Sequence, residues 1–197
     1  MEKYIRSCKS EFWGKVFQAE TEYILDHLKD SKDILSVGCG PAIIEKKLAE
    51  HGFKITCLDI SNEALDQVPD SVRTIICPAE KMAIANCSFN AIIYVASLQF
   101  IEDYRKAIQE TARVLESGGK LLVMLLNPQS EFFKEKTKNP DSYVNKIKHK
   151  DLKEIENIIT DYFSVQTEYF LGIKETEIFQ SRDSNLASLY IIKGVKK

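Results

Sequence analysis

Apolar residues along this chain fall into two rhythms. Between residues 11 and 28, Phe12, Trp13, Val16, Phe17, Ile24, Leu25 and Leu28 recur at spacings near three and four, the period of an amphipathic helix or a broken pair of helices. From residue 34 onward the apolar positions gather into short, nearly continuous runs separated by amphipathic stretches. Residues 34–37, 54–58, 72–77, 91–96 and 120–126 read as strands, and residues 43–51, 63–68 and 104–115 read as helices between them. Strands that are apolar at successive positions bury both faces, and their alternation with helices predicts a parallel sheet covered on two sides. Residues 117–120, Ser-Gly-Gly-Lys, read as a turn whose glycine ends the preceding helix in the left-handed region.

The last third follows another pattern. Residues 128–150 are polar and lysine-rich, with Phe132, Phe133 and Tyr143 as isolated apolar anchors, and residues 152–160 carry a helical period. Residues 165–171 and 187–192 read as two strands joined by a polar connection with no crossover helix, so the simplest pairing is antiparallel. The expected architecture is α/β: a doubly wound, mostly parallel seven-stranded sheet with a C-terminal antiparallel strand pair and an N-terminal helical cap.

Composition narrows the function classes. A formal net charge of −2 gives the bulk protein no electrostatic claim on nucleic acid. The Met-Glu-Lys start lacks the shape of a signal peptide, and no apolar run approaches ~20 residues, so a cytoplasmic protein without a membrane partner is expected. Cysteines at 8, 39, 57, 77 and 87 show neither a Cys-x-x-Cys pair nor clustering with histidine, which argues for free thiols and no metal.

The candidate chemistry begins at Ile34–Ala42, ILSVGCGPA, where an apolar strand stops in two glycines one residue apart. A glycine-rich strand-to-helix turn lets the backbone approach a ligand, and a tight turn alone would also ask for glycine. Asp59 follows the next apolar run, at the sheet edge where parallel α/β folds bind ligands, and a carboxylate there can accept from both hydroxyls of a ribose. No Gly-Lys-Ser/Thr follows Gly40, which excludes a P-loop. The dinucleotide fingerprint places Ile43 where close helix–strand packing needs a small residue, which disfavours an NAD-dependent oxidoreductase.

Taken together, Ile34–Gly40, Asp59, the Ala79-Glu80 pair and Ser88-Phe89-Asn90 resemble the class I S-adenosylmethionine-dependent methyltransferases, most of all the small-molecule group with a compact methyltransferase domain. The resemblance covers roughly residues 30–127 and implies a Rossmann-like fold with S-adenosyl-L-methionine as cofactor. It implies one methyltransferase-like domain over residues 1–197, with a helical cap (1–28), a cofactor-binding core (30–127), a variable substrate-side segment (128–160) and C-terminal strands (161–197). By the same resemblance Gly38, Cys39 and Gly40 line the methionine and ribose part, Asp59 holds the ribose hydroxyls, and Ile60 lies against the adenine. Ala79 and Glu80 flank the adenine edge, while Ala96, Ser97 and Gln99 form the floor below the transferred methyl. The chain departs from the family pattern at Ser36 and Pro78, where acids are common, at Ala42, where glycine is common, and at Asn90, where aspartate is frequent.

Such chemistry asks for no metal and no covalent nucleophile, only in-line placement of an acceptor and exclusion of water. The candidate substrate-positioning residues are Tyr4, Trp13 and Gln99, with the N-terminal helix expected as a lid. Of the three histidines, His51 suits a helix end, His27 a surface contact, and His149 a base only if its segment folds over the site. The Asn/Asp-Pro-Pro-aromatic segment of nucleic-acid amino-methylating relatives is absent after the fourth strand, where the chain reads Val95-Ala96-Ser97-Leu98-Gln99. The basic residues of 134–150 are interspersed with acids and read as a solvated face, with an anionic or phosphate-bearing small acceptor as the alternative. Methyl transfer to a small or medium organic acceptor is therefore expected, with a catalytically degenerate cofactor-binding or scaffold protein as the alternative.

Overall fold

The computed structural model describes residues 10–197. Helix α1, Glu11–Leu28, begins at Ser10, whose hydroxyl accepts from the Trp13 amide. The alternating core then runs β1 (Asp33–Val37), α2 (Ile43–Glu50), β2 (Lys54–Asp59), α3 (Asn62–Leu65), β3 (Arg73–Ile76), β4 (Phe89–Val95), α4 (Tyr104–Val114) and β5 (Leu115–Leu126). The remainder is α5 (Glu131–Thr137), α6 (Leu152–Thr160), β6 (Phe163–Lys174), β7 (Glu177–Phe179) and β8 (Ala187–Lys196). Short 3-10 turns at Leu98–Phe100 and Tyr143–Lys146 complete it.

All strands join one sheet in the order β3-β2-β1-β4-β5-β8-β6-β7. The first five are parallel, and β8 enters antiparallel between β5 and β6. The chain reverses direction of winding between β1 and β4, so the carboxyl ends of β1 and β2 open a crevice there. Alternate strand residues feed two cores. Leu35, Val37, Ile92, Tyr94, Val123 and Leu125 pack under α4 and α6, while Ile34, Cys57, Ile93, Leu122 and Met124 pack under α1 and α2.

Two expectations are corrected here. The sheet has eight strands rather than seven, because β7 folds back as a three-residue hairpin on the end of β6. Its sequence, Glu-Ile-Phe, is too short to display a period. The Ser-Gly-Gly-Lys segment does not cap the helix with a left-handed glycine either. Helix α4 ends at Val114, Leu115 is already extended, and residues 117–120 lie within β5. Gly118 takes φ +70° inside an irregular stretch where β5 shifts register against β4. The polar 128–150 segment also contains a helix, α5, set by its Ser130 cap and the burial of Phe132 and Phe133.

Candidate functional site

The tip of β1 is built by its neighbours. Gly38 N–H donates to Leu58 O at 2.7 Å, and the Ser97 hydroxyl donates to Val37 O at 2.6 Å. Gly38 adopts φ +70°, and a Cβ there would stand 2.6 Å from Ser97 Cβ, so this glycine is needed for β1 and β4 to meet. Gly40 differs: it has φ +55°, but a Cβ would meet nothing within 4 Å. Its backbone faces open space. Ala42 also sits in the left-handed region at φ +54°, which is why glycine suits the position better.

Asp59, half-buried at the end of β2, closes the other side of the loop. Gly40 N–H donates to its Oδ2 at 2.9 Å, and Ser61 N–H donates to its Oδ1 at 2.9 Å. A carboxylate has about four acceptor sites, so each oxygen keeps capacity for a further donor such as a hydroxyl. Beside it, Ile60 is 75% exposed and Ile76, at the end of β3, is 59% exposed. Two large aliphatic side chains left in water at adjoining strand tips make an apolar shelf that suits one face of a planar ring.

The other sequence-derived residues divide. Ala79 is buried in the loop after β3, which is tied to α4 through Arg113 bonds to the Met82 and Ile84 carbonyls and a Met82 amide bond to Glu110. The Glu80 carboxylate accepts from the Asp103 amide at 3.5 Å, at the start of α4. Ala96 stands half-buried just past β4 at φ +48°. Gln99 is fully buried, and its amide is committed within the fold: Nε2 donates to Leu126 O and His149 O, and Oε1 accepts from Leu126 N. It fastens the 128–150 segment to β5 and has no group left for a substrate. Tyr4 lies outside the described residues.

Trp13 is in an aromatic group, at 5.8 Å from Phe17, 6.3 Å from Phe132 and 6.2 Å from Tyr143. Trp13 and Tyr143 bring α1 against the 128–150 segment, Gln99 just past β4 bonds the same segment at His149 O, and Phe17, Tyr143, Val95, Ala96, Phe100 and Cys39 are half-buried against one core. The histidines stand elsewhere. The His149 ring meets the Ile101 and Glu102 carbonyls and packs on Tyr104, His51 meets the Lys47 carbonyl, and His27 stacks on Tyr23.

Sequence reasoning missed two acids behind the loop. Glu45 of α2 is buried and accepts from the Ser36 hydroxyl at 2.6 Å. Burial lifts its carboxyl to about 6, the Ser36 bond opposing and the Asp59 charge adding to the rise. Glu20 of α1 is buried as well; desolvation and the Glu45 charge push it up to about 8. The signal was present, since Glu20 occupies the apolar face between Val16 and Ile24. Contact with Cys57, burial, and the Glu45 and Asp59 charges together push the Cys39 thiol upward, so it is a protonated thiol rather than a nucleophile. Among the described residues no group of three His, Cys, Asp or Glu side chains could hold a metal ion.

Residues 35–123 match the family model described as "Methyltransferase domain". The chain is 30% identical over 110 residues to a demethylmenaquinone methyltransferase of Corynebacterium glutamicum, covering 55% of this chain and 47% of that protein. It is 29% identical over 105 residues to a ubiquinone biosynthesis O-methyltransferase of Xanthomonas oryzae, covering 48% and 43%. The chain thus spans less than half the length of these relatives. A crystal structure of a Thermotoga maritima S-adenosylmethionine-dependent methyltransferase, described as a possible histamine N-methyltransferase, superposes with a TM-score of 0.77 at 18% identity over 100% of this chain and 95% of that one.

Proposed function

We propose, from the match of residues 35–123 to the methyltransferase-domain family model and from the Rossmann-like fold shared with a solved S-adenosylmethionine-dependent methyltransferase, that the chain transfers a methyl group from S-adenosyl-L-methionine to a small organic acceptor. The observation that carries this reading is Asp59, with each oxygen already oriented by a backbone amide at 2.9 Å and each able to accept once more. The bound cofactor supplies a methyl group activated on a sulfonium sulfur. Asp59 would hold the ribose hydroxyls, the open backbone of Cys39 and Gly40 would admit the amino-acid part, and Ile60 with Ile76 would cover a face of the adenine. Ala79 and the Glu80 backbone would flank its edge.

The acceptor would enter between α1 and the 128–150 segment. The Trp13 ring meets Phe17 and Tyr143 where α1 and that segment join, which favours an acceptor with a planar or otherwise apolar part. Walls of this kind contribute by orienting the acceptor in line with the methyl and by excluding water. Two lysines of that segment are engaged: Lys136 lies over the Phe12 and Phe132 rings, and Lys148 pairs with Glu102. The near-neutral charge likewise suits a small molecule rather than nucleic acid. No described helix is long and apolar enough to cross a membrane. We read the chain as one methyltransferase-like domain working in the cytoplasm.

A second reading, cofactor binding without transfer, draws on the crevice itself: Gln99 is locked and each histidine ring is bonded to a backbone carbonyl. Titration with S-adenosylhomocysteine and with NAD, followed by transfer of labelled methyl to a metabolite extract, separates the readings. Homocysteine-ligand binding with labelled product supports methyl transfer; binding without product supports the second reading; preference for NAD removes both.

A further inference from the structure

The connection from β3 to β4, residues 77–88, is loop throughout. On one face of the sheet the amino ends of β2 and β3 are therefore roofed by loop and not by helix. Strand alternation decides which side chains meet that roof. Leu58 packs in the core under α4, whereas Ile55 and Cys57 pack under α1 and α2, so Lys54 and Thr56 point to the α4 side. Register sets Arg73 beside Thr56, Ile75 beside Leu58 and Asp33 beside Lys54 on the same side. Residues 83–85, Ser88 and Phe89 close over these positions and leave a cavity of about 230 Å³. Its frame is fixed. Arg113 donates to the Met82 and Ile84 carbonyls and to Asn86 Oδ1, and Asn90 Oδ1 accepts from the Lys32 and Asp33 amides.

Among the described residues, two polar side chains lining this cavity have no partner. Thr56 is 3% exposed, yet its hydroxyl makes no hydrogen bond. A buried hydroxyl left so is costly, and the cavity is the space it opens to. Arg73, exposed at the rim, makes no ion pair or hydrogen bond through its guanidinium, whereas Lys54 pairs with Asp33 at 2.6 Å. The Ser88 hydroxyl is already given to the Ala85 carbonyl at 2.8 Å. The cavity thus offers one unpaired cation, one unused hydroxyl donor and an apolar wall of Ile75, Ile84 and Phe89.

We propose that this cavity is a second ligand site, which binds a compact organic monocarboxylate. Arg73 takes the carboxylate, Thr56 donates to the same group, and the short apolar body lies on Ile75, Ile84 and Phe89. A guanidinium matches a carboxylate with two parallel hydrogen bonds, and neighbouring strands ~4.8 Å apart let Thr56 reach the same head group. One unpaired cation balances a monoanion, while a phosphate dianion would keep a charge uncompensated. The volume, below the ~300 Å³ lower end of ordinary ligand clefts, restricts the body to a few carbons. Five residue steps of ~3.3 Å separate Lys54 from Asp59 along β2, roughly 16 Å, so this site and the cofactor crevice can be filled together. The proposal stands whatever the crevice binds.

The test is titration of the nitrogen-15-labelled full chain with sodium butyrate at physiological ionic strength, followed by NMR of backbone amides and arginine side chains. Butyramide, the neutral isostere, and inorganic phosphate are titrated alongside. The expected result is saturable shifts centred on Thr56, Arg73 and Ser88, with butyramide at least roughly tenfold weaker and phosphate weaker than butyrate. Arg73→Gln should weaken butyrate roughly tenfold or more, and Thr56→Val several-fold. Unsaturable shifts spread over surface lysines would mean an adventitious ion only, and would overturn the proposal. So would butyramide binding as well as butyrate, phosphate binding more tightly, or undiminished butyrate affinity in Arg73→Gln. The wild-type comparison of butyrate with butyramide decides even if a variant folds poorly.

Discussion

Glu20→Gln gives a stability signature that needs no ligand. In the folded chain burial and the Glu45 charge displace the Glu20 carboxyl from 4.5 to about 8. A carboxyl whose folded value is raised contributes its full stability below 4.5 and loses it as pH rises through about 8. At ~1.4 kcal/mol per pH unit while the folded state holds the proton and the unfolded state does not, the loss between pH 5 and 8 comes to about 3–4 kcal/mol. Glu20 is buried, so solvent screening does little to reduce it. Glu45 adds a smaller loss between 4.5 and about 6, and that term is shared by wild type and variant. Urea unfolding of both proteins at pH 5, 6, 7 and 8 isolates Glu20. The two should be within ~1 kcal/mol at pH 5, with the variant gaining steadily and exceeding wild type by several kcal/mol at pH 8. Parallel stability curves, with a constant difference across that range, would refute the buried-acid account.

Other variants read other parts of the site. Gly38→Ala must push Cβ into Ser97 Cβ at 2.6 Å while holding φ +70°, and should cost about 2–4 kcal/mol by urea unfolding. Gly40→Ala meets nothing within 4 Å, so its stability cost should stay near the ~1 kcal/mol of a left-handed alanine, with its main effect on S-adenosylhomocysteine affinity. Gln99→Ala removes the bonds to Leu126 and His149, and should cost about 2–3 kcal/mol. It should also make the 128–150 segment more susceptible to limited proteolysis while leaving cofactor affinity near wild type. Ser36→Ala takes away the hydrogen bond that holds the Glu45 carboxyl down, and carbon-13 NMR titration should find that carboxyl displaced upward.

Much of the fold is legible because burial leaves a period. The α1 stripe gave its bounds, Glu11–Leu28, and the apolar runs gave β1, β2 and β3 to within a residue, whereas β4 starts two residues and β5 five residues earlier than expected. The turn expected at 117–120 became strand because β5 pairs with β8 along Lys120–Leu126 and meets β4 again at Leu115, a tertiary demand that local turn residues do not reveal. Strand β7 was invisible for want of length. At the site, the loop glycines and Asp59 follow a strand-end logic that sequence carries well. Ile76 is an exposed apolar residue at a strand tip, and nothing local distinguishes it from a core position. Gln99 looked available because its one-dimensional setting, just past β4, says nothing of Leu126 and His149. Glu20 and Glu45 required reading a charged residue on an apolar helix face as a deliberate interruption rather than a solvated edge.

The central claim is that Asp59, oriented by the Gly40 and Ser61 amides, grips the sugar of an adenosyl ligand. The most direct measurement is the affinity of S-adenosylhomocysteine for wild type and for Asp59→Ala, with circular dichroism showing both folded. Loss of two charge-assisted hydrogen bonds, at roughly 1.5 kcal/mol or more each, should weaken binding at least ~100-fold. Equal affinity in a folded Asp59→Ala protein would contradict the account.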